Sequence, residues 1–161
     1  MHDYSLMSLM PKTEVDYPVA SIDSAGIPAA IKNEVLVAPF NDFETTERII
    51  NQCKGEIAGV IIEPFQRVIK PKPGFLKSIR DITIKHKIPL IFDEIVTGFR
   101  VSLGGAQEKY GVIPDIGCFG KSMGNGMPIS AVVGSRKIMK YMEDIFFSGT
   151  FGGKPCLLLE Y

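Results

Sequence analysis

The chain has 161 residues, 45% hydrophobic and 22% charged, and its 18 basic and 18 acidic side chains cancel to zero net charge. That length supports one domain with a sizeable core. The charge balance excludes the electrostatic footprint of a nucleic-acid or anionic-membrane partner, and no apolar run approaches the ~20 residues that span a bilayer.

Met1-His2-Asp3-Tyr4 lacks the basic start and apolar stretch of a signal peptide. Cys53, Cys118 and Cys156 are widely spaced and odd in number, which points to reduced thiols in a cytoplasm. With only His2 and His86, and no CxxC or HExxH spacing, nothing supports a structural metal site.

Residues 1–33 are poorly periodic and rich in Pro, Ser and Asp, so they read as an extended, loop-like lead-in. The run Val35 to Phe40 then reads as a short strand. Asn41 or Asp42 can cap a helix from Phe43 to Cys53. Ala58 to Ile62 reads as a second strand, closed by Glu63-Pro64. Pro73-Gly74 opens a helix to about Lys87, with Phe75, Leu76, Ile79, Ile82 and His86 spaced for one face. Pro89 to Phe92 is a third strand closed by Asp93-Glu94. Ile116 to Phe119 is a fourth, closed by Gly120-Lys121. Ile129 to Val133 is a fifth, and residues 135–143 read as a helix.

Continuous apolar strands imply burial on both faces, and helices between strands imply crossovers. The expected fold class is α/β, a mainly parallel sheet with flanking helices. In such sheets ligands bind beyond the carboxyl ends of the strands. Three strands there close on Glu63, Asp93 and Lys121, so two carboxylates and a lysine are expected along one sheet edge.

Lys121 stands in Phe119-Gly120-Lys121-Ser122-Met123-Gly124-Asn125-Gly126-Met127-Pro128. Glycines let backbone approach a ligand closely, and a solvated surface charge needs no such frame. Two nucleotide motifs are imitated and fail. Gly120-Lys121-Ser122 resembles the end of a phosphate-binding GxxxxGK[ST] loop, but the first glycine would fall on Asp115, whose charge repels phosphate. The acidic strand ending in Asp93 also precedes the lysine loop, the reverse of the usual order. No GxGxxG follows the first strand, which removes a dinucleotide site.

At these residues the sequence resembles the class III (ω-type) aminotransferases of pyridoxal-phosphate (PLP) fold type I, closest to the glutamate-1-semialdehyde 2,1-aminomutase branch. Ile91 to Arg100 is similar to the family's ring-nitrogen signature and Phe119 to Pro128 to its lysine signature, with 121 − 93 = 28 residues between aspartate and lysine. Ile62-Glu63-Pro64 resembles an upstream acidic motif, Ser148 to Gly153 a phosphate-contacting loop, and Phe99 to Gln107 the aminomutase branch. Relative to that family, the upstream phosphate loop, the aromatic that stacks on the cofactor ring and the C-terminal small domain are missing. Residues 1–161 then form part of a large PLP-binding domain.

The resemblance implies a PLP-dependent transaminase that handles small-molecule amino donors and acceptors through a Lys121 Schiff base. It implies Asp93 against the ring nitrogen, Ile95 packed on a ring face, Glu63 near the cofactor oxygen or substrate, and Thr150 at the phosphate across a homodimer interface. Two alternatives stay open, an aminomutase that moves the amino group within one molecule and a truncated, inactive fragment.

Overall fold

A computed structural model describes residues 3–8 and 16–145. The chain divides into two compact units, residues 1–54 and 55–161.

In the first unit, a 3-10 turn at Asp3–Leu6 and a one-turn helix α1, Ala29–Lys32, interrupt the lead-in that reads as loop from sequence. Isolated antiparallel bridges join Met7 to Ile22 and Val19 to Leu36. The strand expected at Val35–Phe40 does not form. Among the described residues its only ladder contact is that single bridge, supplemented by the Val37 amide donating to the Pro18 carbonyl at 3.0 Å. Pro39 offers no N–H, Pro18 opposite offers none either, and Leu36 stays exposed, so the apolar run has no partner ladder. The helix α2, Phe43–Gln52, forms as expected, with Asp42 as its cap. Asp42 Oδ1 accepts from the Thr45 amide at 3.0 Å, satisfying one of the amides that helix geometry leaves unpaired, and Oδ2 accepts from the Thr45 hydroxyl at 2.7 Å. Ile49 and Ile50 are buried.

The second unit carries a four-stranded sheet in the order β1 (Val60–Ile62), β2 (Leu90–Asp93), β3 (Ile116–Phe119) and β4 (Ala131–Gly134). β1, β2 and β3 run parallel, and β4 returns antiparallel on β3. Between β1 and β2 lies α3, Phe75–His86; between β2 and β3 lies α4, Gly105–Tyr110; after β4 comes α5, Arg136–Met139, continued by a 3-10 turn. The mainly parallel α/β arrangement read from the sequence is therefore present, with the 135–143 helix tightening to 3-10 in its second half.

α3 buries Phe75, Leu76, Ile79, Ile82 and Thr83, the face its periodicity marks out. Arg80 on this helix reaches Asp115, at 2.5 and 3.2 Å, and Asp115 Oδ2 also accepts from the Leu90 amide at 2.9 Å. One carboxylate thus fastens α3 to the first residue of β2. Burial raises the Asp115 pKa, but the Arg80 hydrogen bonds, the Leu90 amide and the Arg80 charge outweigh it and hold it below the usual carboxylate range.

Burial on both faces, expected for every strand, is approached only in the centre. Leu90 and Phe92 of β2 are fully buried, each worth about 1.5–3 kcal/mol by apolar transfer. Ile61 of β1 is 67% exposed and Val133 of β4 is 47% exposed, because β1 and β4 are the edge strands of this sheet. The short helix α4 has no counterpart in the sequence reading; six residues between glycines are too few for a periodic apolar face to show.

Candidate active site at the carboxyl ends of β2 and β3

Parallel register brings the ends of neighbouring strands together. Asp93 is paired with Cys118 across β2 and β3, and the Glu94 amide extends the ladder to the Cys118 carbonyl at 2.9 Å. Gly120 and Lys121 follow β3 directly, and Glu63 follows β1 on the same sheet edge. The structure therefore aligns Glu63, Asp93 and Lys121 at the carboxyl ends of three parallel strands, where the sequence places them. Thr150, the Ser148–Gly153 loop and Leu157–Leu159 lie outside the described residues.

Strand alternation divides the residues at the end of β2 between two sides. Leu90, Phe92 and Glu94 belong to the buried side; Ile91, Asp93 and Ile95 belong to the other and are half-buried. Asp93 Oδ1 accepts from the Ile95 amide at 3.0 Å, and among the described residues its second oxygen has no hydrogen-bond partner. Ile95 lies against the lysine loop, its Cγ2 3.7 Å from where a side chain on Gly120 would begin. The Cys118 thiol shares this neighbourhood, and burial, followed by the Asp93 charge, pushes its pKa up.

Lys121 opens a 3-10 turn, Lys121–Met123, with φ +45°, in the left-handed region that non-glycine residues rarely enter. Its side chain is exposed. Such a conformation costs roughly 1–3 kcal/mol and collects at functional sites. Asn125 repeats it at φ +44° before Gly126 at φ +98°, so the loop that follows the lysine is tightly curled.

Glu94 is the residue that sequence reasoning left without a role. It is fully buried, yet both of its oxygens are occupied. Oε2 accepts from the Ala106 amide at 2.6 Å and the Thr97 hydroxyl at 2.7 Å. Oε1 accepts from the Gln107 amide at 3.0 Å and the Gln107 side-chain amide at 3.3 Å. The Glu94 carboxyl thus takes the amides of the second and third residues of α4, a cap supplied from 12 and 13 positions away in the chain rather than by the preceding residue, Gly104. Gly105 sits at φ +73°, and any side chain there would run into the Glu94 carboxyl. The detectable signal was the alternation itself: an acidic residue in phase with Leu90 and Phe92 has to point inward.

The half-buried carboxylate with one open oxygen, the amine in a strained turn on the adjacent strand end, and the aliphatic side chain between them suit a planar cationic heterocycle with an aldehyde group. Asp93 would accept from its ring N–H, Lys121 would engage the aldehyde carbon, and Ile95 would lie on the ring face.

The sheet is the mainly parallel α/β sheet of PLP fold type I proteins, as comparisons with known proteins show. The model of the class-III aminotransferase family matches residues 5–159. Glutamate-1-semialdehyde 2,1-aminomutases from Natranaerobius thermophilus and Methanocaldococcus jannaschii are 44% and 45% identical over 139 residues, 83% of this chain in each case and 32% and 33% of theirs. Among solved structures, an omega-transaminase from Sphaerobacter thermophilus superposes with a TM-score of 0.86 at 37% identity, covering 96% of this chain and 38% of its own. A transaminase with PLP bound superposes with a TM-score of 0.81 at 25% identity, covering 94% and 37%.

The chain belongs to the class-III aminotransferase family, a family of PLP-dependent enzymes. It spans about a third of the length of the curated relatives it matches.

Proposed function

We propose that this chain carries the cofactor-holding half-site of a PLP-dependent aminotransferase that moves an amino group from an amino acid or amine. The observation that carries the reading is the placement of Asp93 and Lys121 on adjacent parallel strand ends, with Ile95 against the lysine loop. Bound PLP supplies the carbon that takes up the amino group and a ring that withdraws electrons from the substrate carbon. Asp93 keeps a proton on the ring nitrogen, since a carboxylate there favours the charged form. The Lys121 amine anchors the cofactor and then carries a proton to and from the substrate carbon. Lysine suits both tasks, because its amine can give up a proton and act as a nucleophile, whereas a guanidinium stays protonated. Ile95 excludes water from one ring face. Glu63 lies on the same edge, in reach of substrate polar groups, and Thr150 serves the phosphate across a homodimer interface. A cytoplasmic setting follows from the cysteine pattern; among the described residues no helix is long and apolar enough to cross a membrane.

A second reading is favoured by the relatives' names: the amino group returns to a different carbon of the same molecule, as in the glutamate-1-semialdehyde 2,1-aminomutases. Titration of the purified protein with PLP tests both. A yellow, borohydride-reducible chromophore that maps to Lys121 is the expected result. Conversion of glutamate-1-semialdehyde alone, with no second amino acceptor, selects the aminomutase; a strict need for a separate keto acceptor selects the transaminase. A protein that takes up no PLP at any concentration refutes both and leaves a chain that keeps the sheet but holds no cofactor.

A further inference from the structure

Glu94 lies between Asp93 and Ile95 and is tied in three directions. Its backbone N–H donates to the Cys118 carbonyl of β3 at 2.9 Å, and its backbone carbonyl accepts from the Gly98 amide at 2.8 Å. Its carboxyl group takes the Ala106 and Gln107 amides, the Thr97 hydroxyl and the Gln107 side chain. The turn closed at Gly98 rests directly on Phe119, the residue before Gly120-Lys121. A side chain at position 98 would come within 2.5 Å of the Phe119 ring and 2.9 Å of the Glu94 carbonyl. Phe99, next in the chain, has its ring 5.9 Å from Phe119. One residue therefore joins the Asp93 strand end, the lysine-bearing strand end and the start of α4.

A buried carboxyl group is expensive unless its hydrogen bonds are made. An apolar side chain would fill the same volume without that constraint, so stability alone gives little reason for a glutamate here. What the carboxyl group adds is direction: four donors at fixed positions leave it one orientation. Because backbone positions 93 and 95 are bonded to it covalently on either side, the Asp93 carboxylate inherits that orientation through the Ile95 amide it accepts.

We infer that Glu94 is a positioning residue: it sets the direction of the Asp93 carboxylate from the opposite side of the strand, using the α4 amides as its reference frame. The inference rests on the proposed role of Asp93 only for its link to PLP; the mechanical coupling stands without it.

Two measurements on the full chain test it. The first needs no cofactor. Residue-resolved amide exchange is compared for Glu94→Gln and Thr97→Val, the second keeping the side-chain shape while removing one donor to Glu94. In Glu94→Gln an NH₂ group faces backbone N–H groups. Loss of a bond to a charged group corresponds to roughly tenfold or more, so the Ile95 amide should exchange about that much faster. Ile91 and Phe92 within β2 should be unchanged. Thr97→Val should shift Ile95 in the same direction by a smaller factor, and it decides the question if Glu94→Gln does not fold. Faster exchange at Ala106 and Gln107 with an unaltered Ile95 amide would overturn the inference and make Glu94 a cap for α4 alone.

The second measurement is a double-mutant cycle on PLP binding. Glu94→Gln should weaken binding roughly tenfold in the presence of Asp93 and have little further effect in Asp93→Asn, because coupled sites are non-additive. Equal losses in both backgrounds would overturn the inference. If the unsubstituted protein takes up no PLP, the cofactor reading fails, while the exchange experiment still judges the coupling.

Discussion

At the end of β2, Glu94 is fully buried, accepts four hydrogen bonds and needs a glycine opposite it. At the end of β3, Lys121 is exposed, stands in a left-handed conformation and is followed by a curled loop with Gly124, Asn125 and Gly126. The two strand ends are neighbours in one sheet, yet one is locked by a polar core and the other is held in a strained turn. The proposed roles call for that contrast. A carboxylate that keeps a ring nitrogen protonated works best when fixed, since electrostatic stabilisation depends on preorganisation. A lysine that first anchors the cofactor and then moves a proton has to let go and swing.

The contrast can be broken most severely at the lysine. Lys121→Ala should abolish the borohydride-reducible chromophore and all amino transfer, and Lys121→Arg should do no better, because guanidinium remains protonated. Absorbance spectra with peptide mapping after reduction decide this; a reducible adduct that persists on another lysine would show that the wrong residue has been named. Asp93→Asn comes next. It keeps the shape and removes the charge, and at about 1.4 kcal/mol per pKa unit a loss of several units should lower turnover by orders of magnitude with PLP still bound, though more weakly. Near-normal turnover would end the ring-nitrogen role.

Smaller effects belong to the locked side. Gly105→Ala pushes a methyl into the Glu94 carboxyl at a position of φ +73°. Overpacking of this kind costs roughly 1–3 kcal/mol, and the positive φ adds to it, so urea unfolding should show a loss above about 2 kcal/mol. An unchanged midpoint would mean that Glu94 can retreat without penalty. Asp115→Asn should cost about 1.5–3 kcal/mol at neutral pH, the range for hydrogen bonds to charged groups. Its sign with pH follows from a folded-state pKa that lies below 3.8. The Asp115 contribution is fully present above the unfolded-state value and fades as pH falls through the folded-state value. The stability gap between wild type and Asp115→Asn should therefore be constant near neutrality and shrink in acid below pH ~3.8; a gap that widens in acid would contradict the Arg80 pairing. The smallest effect returns to the strained side. Lys121→Gly should be more stable than Lys121→Ala by about 1 kcal/mol, because glycine enters the left-handed region without the Cβ conflict. Equal stabilities would show that the turn stores no strain.

Local chemistry explains which parts were readable in advance. Asp42 caps α2 within three residues, α3 repeats its apolar side chains with helical spacing, and β2 and β3 are apolar runs that end on polar residues; each signal lies within one element. Val35–Phe40 has the same local signature as those strands and fails as one, because a strand exists only through the partner it pairs with. Glu94 illustrates the opposite case. Its type and its phase in the strand were visible, but its four donors come from residues 97, 106 and 107 and could not be read from spacing.

By itself, then, the sequence determined the parallel α/β character, the strand ends that carry Glu63, Asp93 and Lys121, and the family resemblance, since these depend on residue type, short-range order and the 28-residue interval. Tertiary structure alone decided that β4 runs antiparallel, that α4 exists, which donors meet the Glu94 carboxyl, and that Lys121 takes a left-handed turn. Those outcomes turn on contacts between residues distant in the chain. A hydrogen-bond acceptor buried in the core is fixed by whichever donors folding brings to it, and no local rule names them.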